Sequence, residues 1–172
     1  MKFKSLKMFS DPIVNELLYP KRVHGMCGLE YEEKNLCQPY IGDQLDEEVN
    51  HWNCDRAVVI TAPTGTGKTT FVVEKIAKKA VRKGQNVLII SNRNPLNLGY
   101  KKDIAKVTGC SNMYTLEGLQ NANTFNSVYI VNYQGLQSFI SENPHLDFFY
   151  VISDECHFFC RIHYFLIVPV LL

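Results

Sequence analysis

Ala62-Pro63-Thr64-Gly65-Thr66-Gly67-Lys68-Thr69 lies between a strand-like run, Ala57-Val58-Val59-Ile60-Thr61, and an amphipathic helical pattern from Thr70 to Lys83. Strand, glycine-rich turn and helix in that order make a phosphate-binding loop. Gly65 and Gly67 let the backbone take turns closed to residues that carry a side chain, and they bring its N–H groups close to an anion. The helix that follows turns its positive end to the same place. In this pattern Lys68 supplies the point charge for the β- and γ-phosphates and Thr69 a hydroxyl for Mg²⁺, with Pro63, Thr64, Thr66 and Thr70 completing the cradle. Ala62 stands where the general pattern has Gly. The alternative is a plain Gly- and Thr-rich turn joining a core strand to a core helix.

Further along, the apolar run Phe148-Phe149-Tyr150-Val151-Ile152-Ser153 leads into Asp154-Glu155-Cys156-His157. Asp154, at the C-terminal end of a buried parallel strand, can hold the shell of a Mg²⁺ ion, and Glu155 beside it can orient and deprotonate an attacking water. Alone, an acid pair after a strand is also ordinary loop chemistry. From Ala57 onward strands and helices alternate, which predicts an α/β fold with a parallel sheet flanked by helices. Val72, Val73, Ile76, Ala77, Ala80 and Val81 form one apolar helix face, Glu74 and Lys78 pair four residues apart, and Gly84 ends the helix. Asn86 to Ser91 and Ser127 to Val131 read as strands. Helices are expected from Pro95 to about Val107 and from Gln134 to about Ser141, while Thr108 to Asn126 is polar and ambiguous, with Asn112 to Leu116 a candidate short strand.

Together the two motifs carry a family resemblance. Ala-x-Thr-Gly-x-Gly-Lys-Thr followed by Asp-Glu-Cys-His resembles motifs I and II of a superfamily 2 helicase or translocase of the DExH kind. The resemblance implies a RecA-like P-loop lobe that couples hydrolysis of ATP, with Mg²⁺, to movement on or remodelling of nucleic acid, DNA or RNA. Lys68, Asp154 and Glu155 would be its catalytic residues, Thr69 and Asp154 its metal ligands, and His157 the relay of nucleotide state. Ser91-Asn92-Arg93-Asn94-Pro95-Leu96 falls where the family has motif Ia, and Val131-Asn132-Tyr133-Gln134-Gly135-Leu136 where it has a Tyr-Gln segment. Arg93, Asn94, Tyr133 and Gln134 are the implied nucleic-acid contacts. Both segments read equally well as ordinary Asn- and Ser-rich turns from strand to helix.

The family places a Ser-Ala-Thr motif and a second lobe with arginine fingers after Asp-Glu-Cys-His. Reaching the first takes roughly 20 residues with loops, more than follow His157, and no Ser-Ala-Thr occurs there. The expectation is an N-terminal extension over 1–50, a RecA-like lobe incomplete at its C-terminus over 51–160, and an apolar, aggregation-prone tail over 161–172. Such a lobe would turn ATP over slowly and bind nucleic acid weakly by itself, with a partner chain supplying the second lobe. Two other readings are a nucleotide- or partner-binding fragment without turnover, and a GTPase or small-molecule kinase on the same fold. The Asp-Glu-Cys-His box and the lack of an Asn-Lys-x-Asp guanine-reading motif speak against the last.

Composition bounds the rest. At 172 residues and 46% apolar the chain can bury one domain core. A formal net charge of +1 leaves no overall attraction for nucleic acid, so any basic track is local. Lys78, Lys79, Arg82 and Lys83, and then Lys101, Lys102 and Lys106, supply candidates, although solvated helix faces explain them as well. Six cysteines without a secretory signal point to reduced thiols in a cytoplasmic protein. His24, Cys27, Cys37, His51 and Cys54 could assemble zinc, or could be scattered thiols and imidazoles. The apolar tail is shorter than the ~20 residues a membrane helix needs. Tyr40 and Trp52 are candidates to stack on adenine or to pack against the core.

Overall fold

The computed structural model describes residues 2–7, 31–37, 39–52, 56–63, 65–91, 98–154 and 164–169. Two strands open the chain, β1 (Lys2–Lys7) and β2 (Tyr31–Asn35), followed by a short helix α1 (Ile41–Leu45) and a 3-10 turn (Glu48–His51). Strand β3 (Arg56–Thr61) leads through the glycine-rich loop into helix α2, over 68–82, whose middle turn, Val72–Ala77, is π-helical between α-helical Lys68–Phe71 and Lys78–Arg82. Then come β4 (Val87–Ser91), α3 (Leu98–Val107), α4 (Leu116–Asn121), β5 (Thr124–Phe125), β6 (Val128–Asn132), α5 (Leu136–Glu142), β7 (Tyr150–Ser153) and β8 (Tyr164–Pro169).

All eight strands form one sheet in the order β2-β1-β3-β8-β7-β4-β6-β5. The expected parallel pairing holds for β4 with β6 and β7, and β1, in the segment read as an N-terminal extension, also pairs parallel with β2 and β3. Two strands run the other way. β5 and β6 form a hairpin whose turn begins at Asn126, with φ 52, a left-handed position that Asn tolerates. The apolar run that the sequence left without an element is β8, hydrogen-bonded on one side to β3 and on the other to β7, antiparallel to both.

Every residue of β4 is buried, as befits a central strand covered on both faces. Helix α2 turns Phe71, Val72, Val73, Ile76, Ala77 and Ala80 into the core, the apolar face its spacing calls for. It ends where Gly84 takes φ 68, with Gly84 N–H donating to the Val81 carbonyl and Gln85 N–H to that of Ala80. These are the two bonds of a glycine-capped helix terminus. Glu74 and Lys78 pair at 2.6 Å as expected. Ile41, Leu45 and Val49 repeat at helical spacing and are buried. Burial of each contributes about 1.5 to 3 kcal/mol, enough to hold α1 and the turn after it against the loop and α2. Lys75 adds a surface ion pair to Asp46 at 2.6 Å.

Two expectations are corrected. Asn112 to Leu116 is no strand, because Met113 and Leu116 are 73% and 59% exposed and provide no buried face. Thr115 instead caps α4, its hydroxyl accepting from Gly118 N–H at 3.1 Å. Lys101 does not belong to a solvated helix face. It is 1% exposed, and its ammonium donates to the carbonyl of Gln120 at 2.6 Å, in the last turn of α4. Burial lowers its pKa.

Candidate nucleotide-binding site

After β3 the chain reaches buried Ala62, exposed Pro63 and then the glycine turns, with Gly65 at φ 86 and Gly67 at φ 80. Both values lie in the left-handed region, which costs a residue bearing Cβ roughly 1 to 2 kcal/mol. A Cβ built on Gly65 would meet nothing within 4 Å, so that side of the loop is open. The loop's own contacts set its shape. The Thr66 hydroxyl donates to the Pro63 carbonyl at 2.8 Å, and from outside the loop Ile41 N–H donates to the Thr66 carbonyl at 3.1 Å. The ring of Tyr40, 56% exposed, lies 3.8 Å from where a Cβ on Gly67 would sit. Trp52 lies deeper, edge-on to Phe71 with ring centroids 6.1 Å apart, which is the packing alternative for that residue.

Helix α2 begins at Lys68, so the first N–H groups of the helix, unpaired within it, face the loop. The Lys68 ammonium bends back onto the carbonyls of Ala62 and Pro63, 2.6 Å from each. Burial lowers its pKa, and the negative charge of Asp154 partly offsets that. A half-buried cation facing neutral carbonyls, beside glycine turns and a helix start, fits a polyphosphate: bound oxyanions would supply the countercharge that burial removes. Thr69 and Thr70 are exposed on the first turn.

The second half of the site is assembled across the sheet. Asp154 continues the β4–β7 ladder by donating its N–H to the Ile90 carbonyl at 2.8 Å. Its own carbonyl accepts the Tyr133 hydroxyl at 3.0 Å, and the same hydroxyl is hydrogen-bonded to Ser153 Oγ. The carboxylate of Asp154 is felt by Lys68 and by buried Tyr100, whose phenol is pushed above its ordinary value by burial first and by Asp154 second. Thr69 and Asp154 offer the hard oxygen donors that Mg²⁺ takes, a donor set that suits an ion completing its shell with water and phosphate.

Among the expected site residues, Pro63, Gly65, Thr66, Gly67, Lys68, Thr69 and Thr70 stand in one loop and helix start, and Asp154 is close enough to act on Lys68. Thr64, Arg93, Asn94, Glu155 and His157 lie outside the described residues. Gln134 is exposed, whereas Tyr133 is half-buried with its hydroxyl at the end of β7. Sequence reading missed Tyr100 and Ser153, which carry no motif signal. Of the zinc candidates, His24, Cys27 and Cys54 fall outside the described residues. Cys37 and His51 are exposed, and no group of three or more His, Cys, Asp or Glu gathers among the described residues.

A mixed α/β sheet with a glycine loop after one strand, a helix starting on that loop and an acid at the end of a second strand parallel to it, one strand further along the sheet, defines a RecA-like P-loop domain. Residues 32–165 match the family model described as type III restriction enzyme, res subunit, and since that match spans most of the chain, the chain belongs to this family. The family's domain is the N-terminal RecA-like lobe of superfamily 2 helicases, a helicase-like ATP-binding domain; such domains generally use ATP and Mg²⁺ and bind nucleic acid. No curated protein and no solved structure matches the chain. Among the described residues no helix is long and apolar enough to cross a membrane.

Proposed function

We propose that the chain binds MgATP between the loop after β3 and the end of β7, and that hydrolysis there is coupled to nucleic acid. The observation that carries this reading is the Lys68 ammonium, held half-buried on the Ala62 and Pro63 carbonyls at a glycine-shaped helix start, within reach of the field of Asp154. Backbone N–H groups from Gly65 to Thr70 cradle the phosphates. Lys68 leaves its carbonyls to neutralise them. Thr69 and Asp154 hold Mg²⁺, which when bound screens the charge on the transferring phosphoryl group. Glu155 takes the proton of the attacking water, and His157 passes on the state of the nucleotide. Gln134, exposed on the turn after β6, contacts the polynucleotide together with Arg93 and Asn94.

Lys68→Ala tests the reading at its centre. It removes a charge-assisted contact worth roughly 1.5 to 3 kcal/mol, so ATP affinity should fall about tenfold or more while the folded state persists. Titration with a fluorescent ATP analogue reads this directly, and an unchanged Kd in a folded variant rules the site out. Glu155→Gln should keep nucleotide binding and slow hydrolysis, since Gln cannot accept the water's proton. Hydrolysis at the wild-type rate would remove Glu155 from the role of base.

A further inference from the structure

Asp154 is the first residue past β7. Its N–H is still held by Ile90. Its carbonyl accepts the hydroxyl of Tyr133, at 3.0 Å. Tyr133 stands just past β6, and β6 and β7 are not neighbours, because β4 lies between them. The phenol therefore reaches over the end of β4 to join the C-terminal ends of two strands that share no ladder.

The hydrogen-bond directions follow from the chemistry of the groups. A phenol has one proton, and a carbonyl can only accept, so Tyr133 donates to the Asp154 carbonyl. The bond between Tyr133 and Ser153 then has Ser153 Oγ as donor and the phenolic oxygen as acceptor. Ser153 is 8% exposed, so its hydroxyl has little access to water and directs the phenolic proton toward Asp154. The turn that carries Tyr133 is itself fixed: Asn132 Oδ1 accepts Gly135 N–H at 2.6 Å, and a Cβ on Gly135 would fall 2.8 Å from that oxygen. The backbone of Asp154 is thus hydrogen-bonded at both its N–H and its carbonyl, which fixes the base from which its carboxylate is presented.

We propose that Tyr133 is a positioning residue for Asp154, setting through the Ser153–Tyr133–Asp154 hydrogen-bond chain the direction from which that carboxylate meets Mg²⁺; the proposal rests on the reading of Asp154 as the metal ligand. A purely structural tether would lower stability and leave metal binding alone. A positioning role makes the opposite separation: metal dependence changes, and metal-free nucleotide binding does not.

The experiment is a titration of ATP-analogue affinity against Mg²⁺ concentration, with affinity in excess chelator as the metal-free baseline, for wild type, Tyr133→Phe, Ser153→Ala and Asp154→Asn. Tyr133→Phe should raise the Mg²⁺ concentration at half-effect by about two- to tenfold, the factor one neutral hydrogen bond is worth, with the baseline unmoved. Ser153→Ala, which keeps the ring and removes only the donor that directs its proton, should shift the midpoint the same way by less, and it decides the matter if Tyr133→Phe does not fold. Asp154→Asn should abolish the Mg²⁺ effect. If Asp154→Asn does so while folded Tyr133→Phe keeps the wild-type midpoint, the positioning role is overturned and the metal assignment stands. If Asp154→Asn leaves the Mg²⁺ effect intact, the metal assignment falls and the proposal with it.

Discussion

The two halves of the site are built on different principles. In the loop between β3 and α2 the hydrogen bonds among the described residues, apart from the tie from Ile41, run between residues at most six apart: Thr66 to Pro63, and Lys68 to Ala62 and Pro63. Glycine torsions set the shape, and the helix start sets the field. At the end of β7 the hydrogen bonds described above are long-range. Asp154 is held by Ile90 of β4 and by Tyr133 beyond β6, partners that only the folded sheet brings near. The first half is a property of a segment, and the second is a property of a sheet. Damage to the sheet should therefore weaken the metal-binding half before it weakens the phosphate-binding half.

The largest break in that comparison comes from Ile152, fully buried in β7 two residues before Asp154. Ile152→Ala should cost about 2 to 5 kcal/mol, the transfer term plus a cavity, seen as a lower midpoint in urea unfolding. In the folded fraction the Mg²⁺ enhancement of nucleotide binding should weaken more than metal-free binding does. Equal weakening of the two would erase the distinction between the halves. A smaller effect, of reversed sense, is expected from Gly67→Ala. The substitution forces a residue with Cβ to φ 80, costing roughly 1 to 2 kcal/mol, while the nearest ring atom of Tyr40, at 3.8 Å, is an ordinary contact. Metal-free affinity should fall, and the Mg²⁺ midpoint should hold.

The smallest effect sharpens the role of the sheet's surroundings. Burial holds the Lys101 ammonium below its ordinary 10.5. Below the lowered value Lys101 is charged both folded and unfolded, and the folded chain carries the full burial cost. Between the lowered value and 10.5 the unfolded chain binds the extra proton, so stability rises with pH. Lys101→Met, similar in length and without a proton to bind, should lack this contribution. Urea unfolding of both proteins at a series of pH values up to 10.5 gives the difference in slope.

The same division explains what the sequence could say. Glycines, a lysine and a threonine at fixed offsets between a strand and a helix state the loop by themselves, because its geometry is written in neighbouring torsions. β4, β6, β7 and the apolar face of α2 were legible through periodicity for a related reason. Tyr133 was legible as part of a turn and as an implied nucleic-acid contact but not as a partner of Asp154, since its hydroxyl finds Ser153 and Asp154 through a register that no local pattern encodes. Lys101 misled because one buried lysine on a helix looks like its solvated neighbours Lys102 and Lys106 until α4 is placed with its Gln120 carbonyl above it. Asn112 to Leu116 misled because mixed polar and apolar residues suit a strand or a capped helix, and the choice fell to the hydroxyl of Thr115.

Strand β8 orders these events in time. Among the described residues it alone pairs with both β3 and β7, and it follows both in the chain. On a ribosome, a nascent chain that has emerged as far as Ser153 therefore carries β3 and β7 as open edges, one beside each half of the site. Pairing Val58 with Ile167 closes a loop of most of the chain, the slow kind of contact that loop-closure entropy delays. The phosphate loop can form early, as local structures do. Bridging of the two half-sites by strand pairing waits until β8 has been made, and until then those open edges are where a chaperone or a neighbouring chain would compete.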